Sequence, residues 1–326
     1  MRRLFHMAVS MTLPGLLAAQ VSLVGPRSGF VFDEIRGEVR PVIGEPGGAY
    51  LGRAVALEIA PKQMEIRNGG AIAIAIAEAD GAPSAWRVTG LADGAPELLP
   101  LGPATRVELD PAGRMALLFT EETVRLVTGL EKEPVPGPEV ALASLPGVLS
   151  PAQGAVAFQH EPGCAIAAAR SENATALVML CADAPGEPRV ARWLEGVDIA
   201  RMIYLEAQGG LWMADRTAAR VLRVHGAPDS GELETMAEGV SQAAGIQAVS
   251  RDEVAVAQED GWLAIVSIRE RGVTGYLELP ALPDRLDYLV PGRILVCTRL
   301  RRDPVLVIDL GQDRASFFIP MPGGAR

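Results

Sequence analysis

The sequence predicts an all-β fold, a β-propeller of four-stranded blades, from three observations. Apolar and small residues alternate along much of the chain, as in "AIAIAIA" at 71–77, and a period of two is typical of strands. Similar apolar runs recur at nearly constant spacing. Short turns containing glycine and aspartate separate the runs and are hairpin signals. Large residues on one face of 71–77 and alanines on the other indicate a sheet packed between two neighbouring sheets.

The repeat has a period of roughly 45 residues. Its apolar runs start at residues 71, 115, 164, 211, 254 and 294, so successive starts are 44, 49, 47, 43 and 40 residues apart. Repeats of this length are typical of propeller blades, which close into a ring and thereby protect most strand edges. The period therefore favours a propeller.

Each repeat has room for four strands. The unit that begins at Gly245 contains "GIQAVS", "VAVA", "WLAIVSI" and "GYLEL", with Asp260-Gly261 as the hairpin turn between the second and third strands. Six such units are complete from about residue 52, and 21–44 carries two or three more strands. We expect seven blades, the first built from 21–44, with sealing by C-terminal chain as one way to close the ring. A six-bladed ring with an N-terminal hairpin is the alternative.

The N-terminal residues have the layout of a secretory signal peptide. Two arginines precede a mostly apolar stretch over 4–17, and alanines follow at 18–19. We therefore expect a signal peptide over 1–20, a single propeller domain over 21–326, and a periplasmic or secreted protein. A buried N-terminal strand or a short membrane anchor is the alternative interpretation. No later segment reaches ~18 uninterrupted apolar residues, so no membrane span is expected in the mature chain.

The charge balance excludes some classes of partner. Forty acidic and 30 basic residues give a formal net charge of −10, whereas nucleic-acid binding needs a basic face to neutralise phosphates. An anionic membrane surface would repel the chain for the same reason. We expect a protein or glycan partner in the cell envelope.

The three cysteines do not form a metal-binding pattern. No C-x-x-C pair exists, and only two histidines follow the predicted cleavage region, which argues against a zinc site. Cys164 and Cys181 lie on two strands joined by the turn 171–175, where direct pairing would bring them into disulfide range. The alternative is two small buried hydrophobic residues. Cys297 is interpreted as a buried core thiol.

Several charged side chains lie on predicted hairpin turns. Asp215 and Arg220 flank one turn, where the carboxylate is expected to accept turn N–H groups and pair with the arginine. The functional alternative places Asp215 at a channel mouth as a metal ligand or catalytic carboxylate. Two further acidic pairs occupy equivalent turns between second and third strands, and they suggest either a Ca²⁺ site or simply solvated turns: Glu78 with Asp80, and Glu259 with Asp260.

No nucleophile–base pair stands out in the sequence. His160 lies beside Glu161 before a turn, and His225 ends a predicted strand. Both are interpreted as ordinary loop or strand-end histidines. We therefore assign no catalytic, cofactor-binding or metal-ligating residue.

One segment resembles a known repeat. "LWMADRTAARVLRV" at 211–224 is similar to the NHL-type propeller repeat through Trp212, Ala214, Asp215, Arg220 and Val221. The chain as a whole resembles exported bacterial β-propellers of the WD40/YVTN/NHL-like repeat class. This resemblance implies a fold and no single activity. The expected function is that of a protein- or ligand-binding scaffold module rather than an enzyme. The alternative is a Ca-dependent propeller enzyme of the lactonase or hydrolase kind, with its site in the central channel.

Overall fold

The computed structural model describes residues 26–147, 155–159, 163–182, 188–290, 292–301, 303–311 and 314–320. The predicted signal peptide and the pair His160–Glu161 lie outside the described residues. Apart from three short 3-10 turns, the regular structure is β-strand. Within the described residues, no helix has the length and apolar character needed to cross a membrane.

The strands form seven antiparallel sheets in a ring, a seven-bladed β-propeller. Blade 1 holds β1 (Arg27–Asp33), β2 (Glu38–Ile43) and β3 (Tyr50–Leu51). Each remaining blade holds four strands in chain order. Blades 2 to 4 are β4 (Pro61–Arg67), β5 (Ile72–Ala79), β6 (Ala82–Thr89), β7 (Glu97–Pro103); β8 (Arg106–Leu109), β9 (Ala116–Phe119), β10 (Thr123–Thr128), β11 (Val135–Ala141); and β12 (Val156–Gln159), β13 (Cys164–Arg170), β14 (Ala174–Cys181), β15 (Arg189–Glu195).

Blades 5 to 7 follow the same order, with the first strand innermost and the fourth at the rim. They are β16 (Ile199–Leu205), β17 (Gly210–Asp215), β18 (Arg220–His225), β19 (Glu232–Glu238); β20 (Ala243–Ala248), β21 (Glu253–Gln258), β22 (Trp262–Ser267), β23 (Gly272–Glu278); and β24 (Asp287–Val290), β25 (Ile294–Val296), β26 (Val305–Asp309), β27 (Ala315–Ile319). We call the face with the turns between first and second strands the mouth face. The face where the chain passes from blade to blade is the linker face.

The hydrophobic core lies between the blades, as the alternation of large and small residues predicts. In β5 the isoleucines at 72, 74 and 76 pack against blade 3. The alanines at 73 and 75 face the aromatic residues of blade 1, Phe30 and Phe32. Because successive side chains of a strand point to opposite faces, one strand contributes to two inter-blade cores. Such repeated layers explain why almost every second and third strand is buried on both faces.

The strands of blade 1 occupy different positions in the repeat from those of the other blades. β1 begins at residue 27 and β5 at residue 72, a spacing of 45, so β1 has the phase of a second strand. Consistently, its last residue Asp33 forms a parallel bridge with Leu300, which follows the second strand β25 of blade 7. Among the described residues, blade 1 therefore contributes no innermost strand to the channel, and its strands extend to Leu51 rather than ending at 44.

The ring closes between blade 7 and blades 1 and 2. The last four strands all belong to blade 7, and in the described part of the chain no C-terminal strand joins the sheet of blade 1. The contacts that bridge the closure are the Asp33–Leu300 bridge and several ion pairs, including Arg293–Glu45 at 2.8 Å and Arg299–Glu34 at 3.1 Å. Side-chain charge thus contributes to closure at the point where the chain ends meet.

Candidate functional site

The central channel is lined by the innermost strands of blades 2 to 7. It encloses a cavity of about 370 Å³. Residues of these strands, together with residues just before β24 and after β25, bring twelve polar side chains to the cavity. They are Gln63, Glu65, Arg67, Arg106, Glu108, Arg201, Tyr204, Gln247, Arg285 and Asp287, with Asp284 and Arg299 at the linker end.

Four of these side chains form an ionic cluster that we call the channel clasp: Glu65, Arg67, Arg285 and Asp287. Arg67 of blade 2 lies 3.1 Å from Asp287 of blade 7, and Arg285 lies 3.2 Å from Glu65. Arg67 also bonds Glu65 at 3.2 Å, and Arg285 contacts Asp287. The clasp therefore joins blades 2 and 7 directly across the recessed blade 1.

The clasp fixes the ionisation of its carboxylate in blade 7. Burial by itself would raise the pKa of Asp287, but the neighbouring guanidinium groups of Arg285 and Arg67 outweigh it. They hold the pKa of this carboxyl well below its usual range. Asp287 is therefore a permanent anion at physiological pH, committed to its two arginines.

A second set of charged side chains lies on the channel wall opposite the clasp. Arg106 contacts Glu108 of the same strand, and Arg201 donates from Nε to the carbonyl of Ala244 at 2.7 Å and from Nη1 to that of Ala200 at 2.9 Å. Burial raises the pKa of Glu108, against the opposing attraction of Arg106. Burial likewise lowers the pKa of Arg201, although a guanidinium stays charged at any physiological pH.

On the mouth face the channel opens into a groove of about 590 Å³, the mouth groove. It shares Arg67, Phe158 and Tyr204 with the channel cavity, so the two spaces are continuous. Most of its surface is apolar and is formed by Pro111, Phe158, Ile203, Tyr204, Leu205 and Tyr288, while the charged residues Arg67, Asp110, Glu206 and Arg251 also line it. The channel is therefore amphipathic along its axis, with charge inside and apolar surface at the mouth.

The two tyrosines of the groove are held in place by hydrogen bonds. The hydroxyl of Tyr288 donates to the carbonyl of Ala248, and that of Tyr204 accepts from the amide of Gln159 at 3.4 Å. Burial raises the pKa of both hydroxyls. Neutral, positioned aromatic rings are suited to packing against an apolar ligand surface.

The sequence-predicted cysteine pair lies in blade 4. Cys164 of β13 and Cys181 of β14 are directly opposite in the strand register, and their sulfurs form a disulfide. Cys297 is a buried free thiol of blade 7. Burial, with Asp284 and Asp287 nearby, raises the pKa of this thiol to about 12, so it is a poor nucleophile at neutral pH.

Asp215 lies at a hairpin turn on the linker face, outside the residues that line the channel cavity. Its Oδ1 accepts the N–H groups of Asp198, Thr217 and Ala218 at 3.1–3.4 Å, and its Oδ2 accepts from Arg220 at 2.9 Å. The side chain is fully buried. These contacts occupy the carboxylate and favour the turn-capping role over the metal or catalytic alternative.

The same turn occurs in blade 1. Asp33 ends β1, accepts the N–H groups of Ile35 and Arg36 at 3.2 and 3.1 Å, and pairs with the Arg36 guanidinium at 2.9 Å. A carboxylate that caps the turn after a second strand is thus a feature of two blades. Its recurrence agrees with the assignment of β1 to the second-strand phase.

Asp215→Ala lowers the free energy of unfolding by about 2 kcal/mol, because three N–H groups and the Arg220 guanidinium lose their shared acceptor. Binding at the channel is expected to be unchanged. Urea unfolding checks the first effect, with Asp260→Ala on an exposed turn as the control, for which we expect a change within about 0.5 kcal/mol. A stable Asp215→Ala protein that loses ligand binding would contradict the structural role.

The two acidic turn pairs belong to different blades. Glu78 and Asp80 lie at the turn after β5 in blade 2, where Lys62 lowers the pKa of Glu78 through a hydrogen bond. Glu259 and Asp260 lie at the turn after β21 in blade 6, and Asp260 accepts from Ser241 at 3.1 Å. In the described ranges, no group of three or more acidic, histidine or cysteine side chains is placed to hold a metal ion.

The carboxylates of the channel are poorly suited to Ca²⁺. Glu65, Glu108 and Asp287 each contact at least one guanidinium group. Ca²⁺ takes six to eight oxygen ligands, and binding here would have to displace arginines that already neutralise the oxygens. The donor set thus fits an arginine-rich polar cavity better than a calcium centre.

Fold and channel together define a seven-bladed β-propeller with a ligand-sized axial cavity. No protein-family model matches the chain, and no curated protein matches it. Among solved structures, a putative 6-phosphogluconolactonase from Bacteroides uniformis is 14% identical with a TM-score of 0.57, covering 90% of this chain and 96% of that one. KlAtg21, solved in complex with the coiled-coil of AgAtg16, is 10% identical with a TM-score of 0.57, covering 90% and 99%. AztD of Citrobacter koseri is 14% identical with a TM-score of 0.50, covering 89% and 83%. At these identities the likeness shows the fold alone.

The channel residues escaped the sequence analysis, although a signal for them exists. They lie in the short strands that precede the strongly apolar runs, in "QMEIR", "RVEL" and "DRLDYL". There, charged and apolar residues alternate, which is the pattern of a strand with one face in a core and one in a polar space. Such a pattern also describes a solvated strand, and only the ring places these charges together.

Proposed function

We propose that this protein is a binding module whose ligand inserts an apolar group into the mouth groove. The single observation that carries the proposal is the continuity of the apolar groove, about 590 Å³, with the arginine-lined channel below it. Ligand sites typically span ~300–1,000 Å³ and combine apolar walls with a few fixed polar groups. The mouth groove meets both criteria.

A binding role has more support than a catalytic one. A hydrolase of the calcium-dependent kind needs free carboxylates around a metal, and those of the channel contact arginines. The tyrosines of the groove have raised pKa values, so they stay protonated near neutral pH and do not supply a general base. The geometry therefore supports holding a ligand more readily than transforming one.

We also propose that the protein is exported and that its partner lies in the cell envelope. The disulfide of blade 4 supports an oxidising compartment, because such bonds persist in secreted and periplasmic proteins and are rare in the cytosol. An envelope protein or glycan that presents a suitable group to the mouth groove is the partner we expect. Membership of the WD40/YVTN/NHL-like repeat class remains a prediction from the sequence.

Ala207→Trp blocks ligand binding without disturbing the fold. Ala207 lies exposed on the mouth-face turn after β16 and lines the groove, so an indole there occupies ligand space. With 5-phenylpentan-1-ol as an apolar probe of 12 heavy atoms, at ~0.3 kcal/mol per atom, we expect binding to the wild type with a Kd in the millimolar range. The variant is expected to weaken it at least about tenfold in ligand-observed NMR titration.

The matched control is Ala218→Trp in the same blade. Ala218 is also exposed but lies on a turn of the linker face, so binding of the probe should not change. Equal loss of binding in both variants would contradict the assigned place of the site. A wild-type protein that binds no phenylalkyl probe at all would overturn the proposed function.

A further inference from the structure

The positively and negatively charged side chains that line the channel cavity are unequal in number. Five guanidinium groups and four carboxylates line it. Glu65 and Asp287 are committed to Arg67 and Arg285 within the clasp. At the linker end, Arg299 pairs with Glu34 and Asp284 pairs with Arg301. The cavity therefore carries a surplus of one positive charge, and the question is which side chain bears it.

The surplus lies on the wall opposite the clasp, at Arg201. Its hydrogen bonds go to two backbone carbonyls. Within the part of the chain that the structure describes it forms no ion pair, although Glu108 attracts it from a greater distance. Those two bonds use Nε and Nη1 and hold the guanidinium in a fixed orientation. The remaining Nη2 makes no hydrogen bond to any described residue, so donor capacity is left for a ligand.

Arg106 adds a second donor to the same wall. Its Nη2 contacts Glu108, while its Nη1 is buried and has no hydrogen-bond partner among the described residues. The guanidinium also lies over the ring of Phe119, 5.1 Å from the centroid, which limits its motion. A buried, unpaired donor is costly, and nature usually supplies a partner for it.

The strand between the two arginines offers no competing charge. Blade 4 lies between blades 3 and 5, and its innermost strand presents Val156 and Phe158 to the cavity. Glu108 is the carboxylate next to Arg106, and burial raises its pKa. It is paired with Arg106, so the two side chains together add no net charge to this wall.

We propose that the ligand of the mouth groove carries a single carboxylate, which enters the channel and binds between Arg106 and Arg201. The inference rests on the proposed function, since the groove holds the apolar part of the same ligand. A monoanion matches the surplus of one charge, and guanidinium groups bind carboxylates with strong, oriented hydrogen bonds. At ~3.3 Å per residue along β16, Arg201 and Tyr204 are about 10 Å apart, which sets the length of the ligand.

The test uses three probes that differ only in their head group: 5-phenylpentanoate, 5-phenylpentan-1-ol and 5-phenylpentylamine. Titration calorimetry on the full chain is expected to show the acid binding at least about tenfold more tightly than the alcohol, and the amine most weakly. Equal affinity of acid and alcohol, or a preference for the amine, would overturn the carboxylate inference and leave the binding module intact. If none of the three probes binds, the result would instead contradict the proposed function.

Arg201→Met locates the head group. It retains the aliphatic stem and removes the charge, so the acid should lose about tenfold in affinity while the alcohol keeps its own. Unchanged alcohol binding shows that the variant is folded and that the groove is intact. Arg201→Lys is expected to recover part of the loss, and Arg269→Met, an exposed arginine of blade 6 that lines neither the channel cavity nor the mouth groove, should have no effect. An acid affinity that Arg201→Met does not change would place the anion elsewhere and refute this site.

Discussion

Asp287→Asn lowers the free energy of unfolding by about 3 kcal/mol. The substitution keeps the shape of the side chain but leaves Arg67 and Arg285 with Glu65 as their remaining clasp partner. Removing one member of a buried ion pair is strongly destabilising because the other charge stays desolvated and uncompensated. The effect is expected to be large here because the clasp joins blades 2 and 7, on either side of the point where the ring closes.

Urea unfolding followed by tryptophan fluorescence measures this effect. The matched control is Asp252→Asn, which removes one partner of the exposed Arg269–Asp252 pair of blade 6, separated by 2.7 Å. Exposed pairs contribute about 0–1 kcal/mol, so this control should stay close to the wild type. A stability of Asp287→Asn within 0.5 kcal/mol of the wild type (about the error of such measurements) would show that the clasp does not hold the ring.

The same carboxylate makes the stability depend on acid. The arginines hold the pKa of Asp287 below its usual range in the folded protein, so the unfolded chain binds a proton at this site more readily. The contribution is therefore complete above the ordinary aspartate pKa of about 3.9 and is lost as the pH falls below it. The difference in stability between the wild type and Asp287→Asn should accordingly shrink between about pH 5 and the lowest pH at which the fold persists.

The architecture was predictable because its cause is local. Alternation of isoleucine and alanine over 71–77 predicts a strand packed on both faces, and the structure places those residues in two adjacent cores. The near-constant spacing of such runs predicts blades, and seven of them are present. Hairpin turns and strand periodicity operate over a few residues, so a single sequence is enough to reveal them.

The way in which the ring closes could not be predicted from the same patterns. The sequence predicts strands in 21–44, but it does not contain the bridge between Asp33 and Leu300 by which β1 meets blade 7. Glu65 and Arg285 are 220 residues apart, and they bond because blades 2 and 7 meet. Such a pair depends on the number of blades and on the register of every strand between, neither of which a local pattern contains.

The candidate site, like the fold, has local features that the sequence reveals and a long-range arrangement that it does not. Sequence reasoning singled out charges on turns, such as Asp215 and Glu78, because turn residues are conspicuous between apolar runs. The structure places Asp215 in a buried turn cap and pairs Glu78 with Lys62. The side chains that converge, Arg106 and Arg201 among them, come from strands in which an arginine flanked by apolar residues looks like any solvated position. Their shared cavity is a property of the closed ring.

Replacing Cys164 and Cys181 together by alanine lowers the free energy of unfolding by about 3 kcal/mol. The bond joins residues 17 apart on neighbouring strands of blade 4, and a loop of this length is typically stabilised by that amount through the restricted unfolded chain. Urea unfolding without reductant measures the loss. Reductant should destabilise the wild type by a similar amount and leave the double variant unchanged.

A thiol titration of the unfolded, unreduced protein tests for the disulfide independently of stability. The chain has three cysteines, so an intact disulfide leaves Cys297 as the single reactive thiol, while its absence leaves three. One thiol in protein isolated from its own envelope fraction supports both the bond and the oxidising compartment that it requires. Three thiols would refute the bond, and the export hypothesis would then rest on the N-terminal sequence alone.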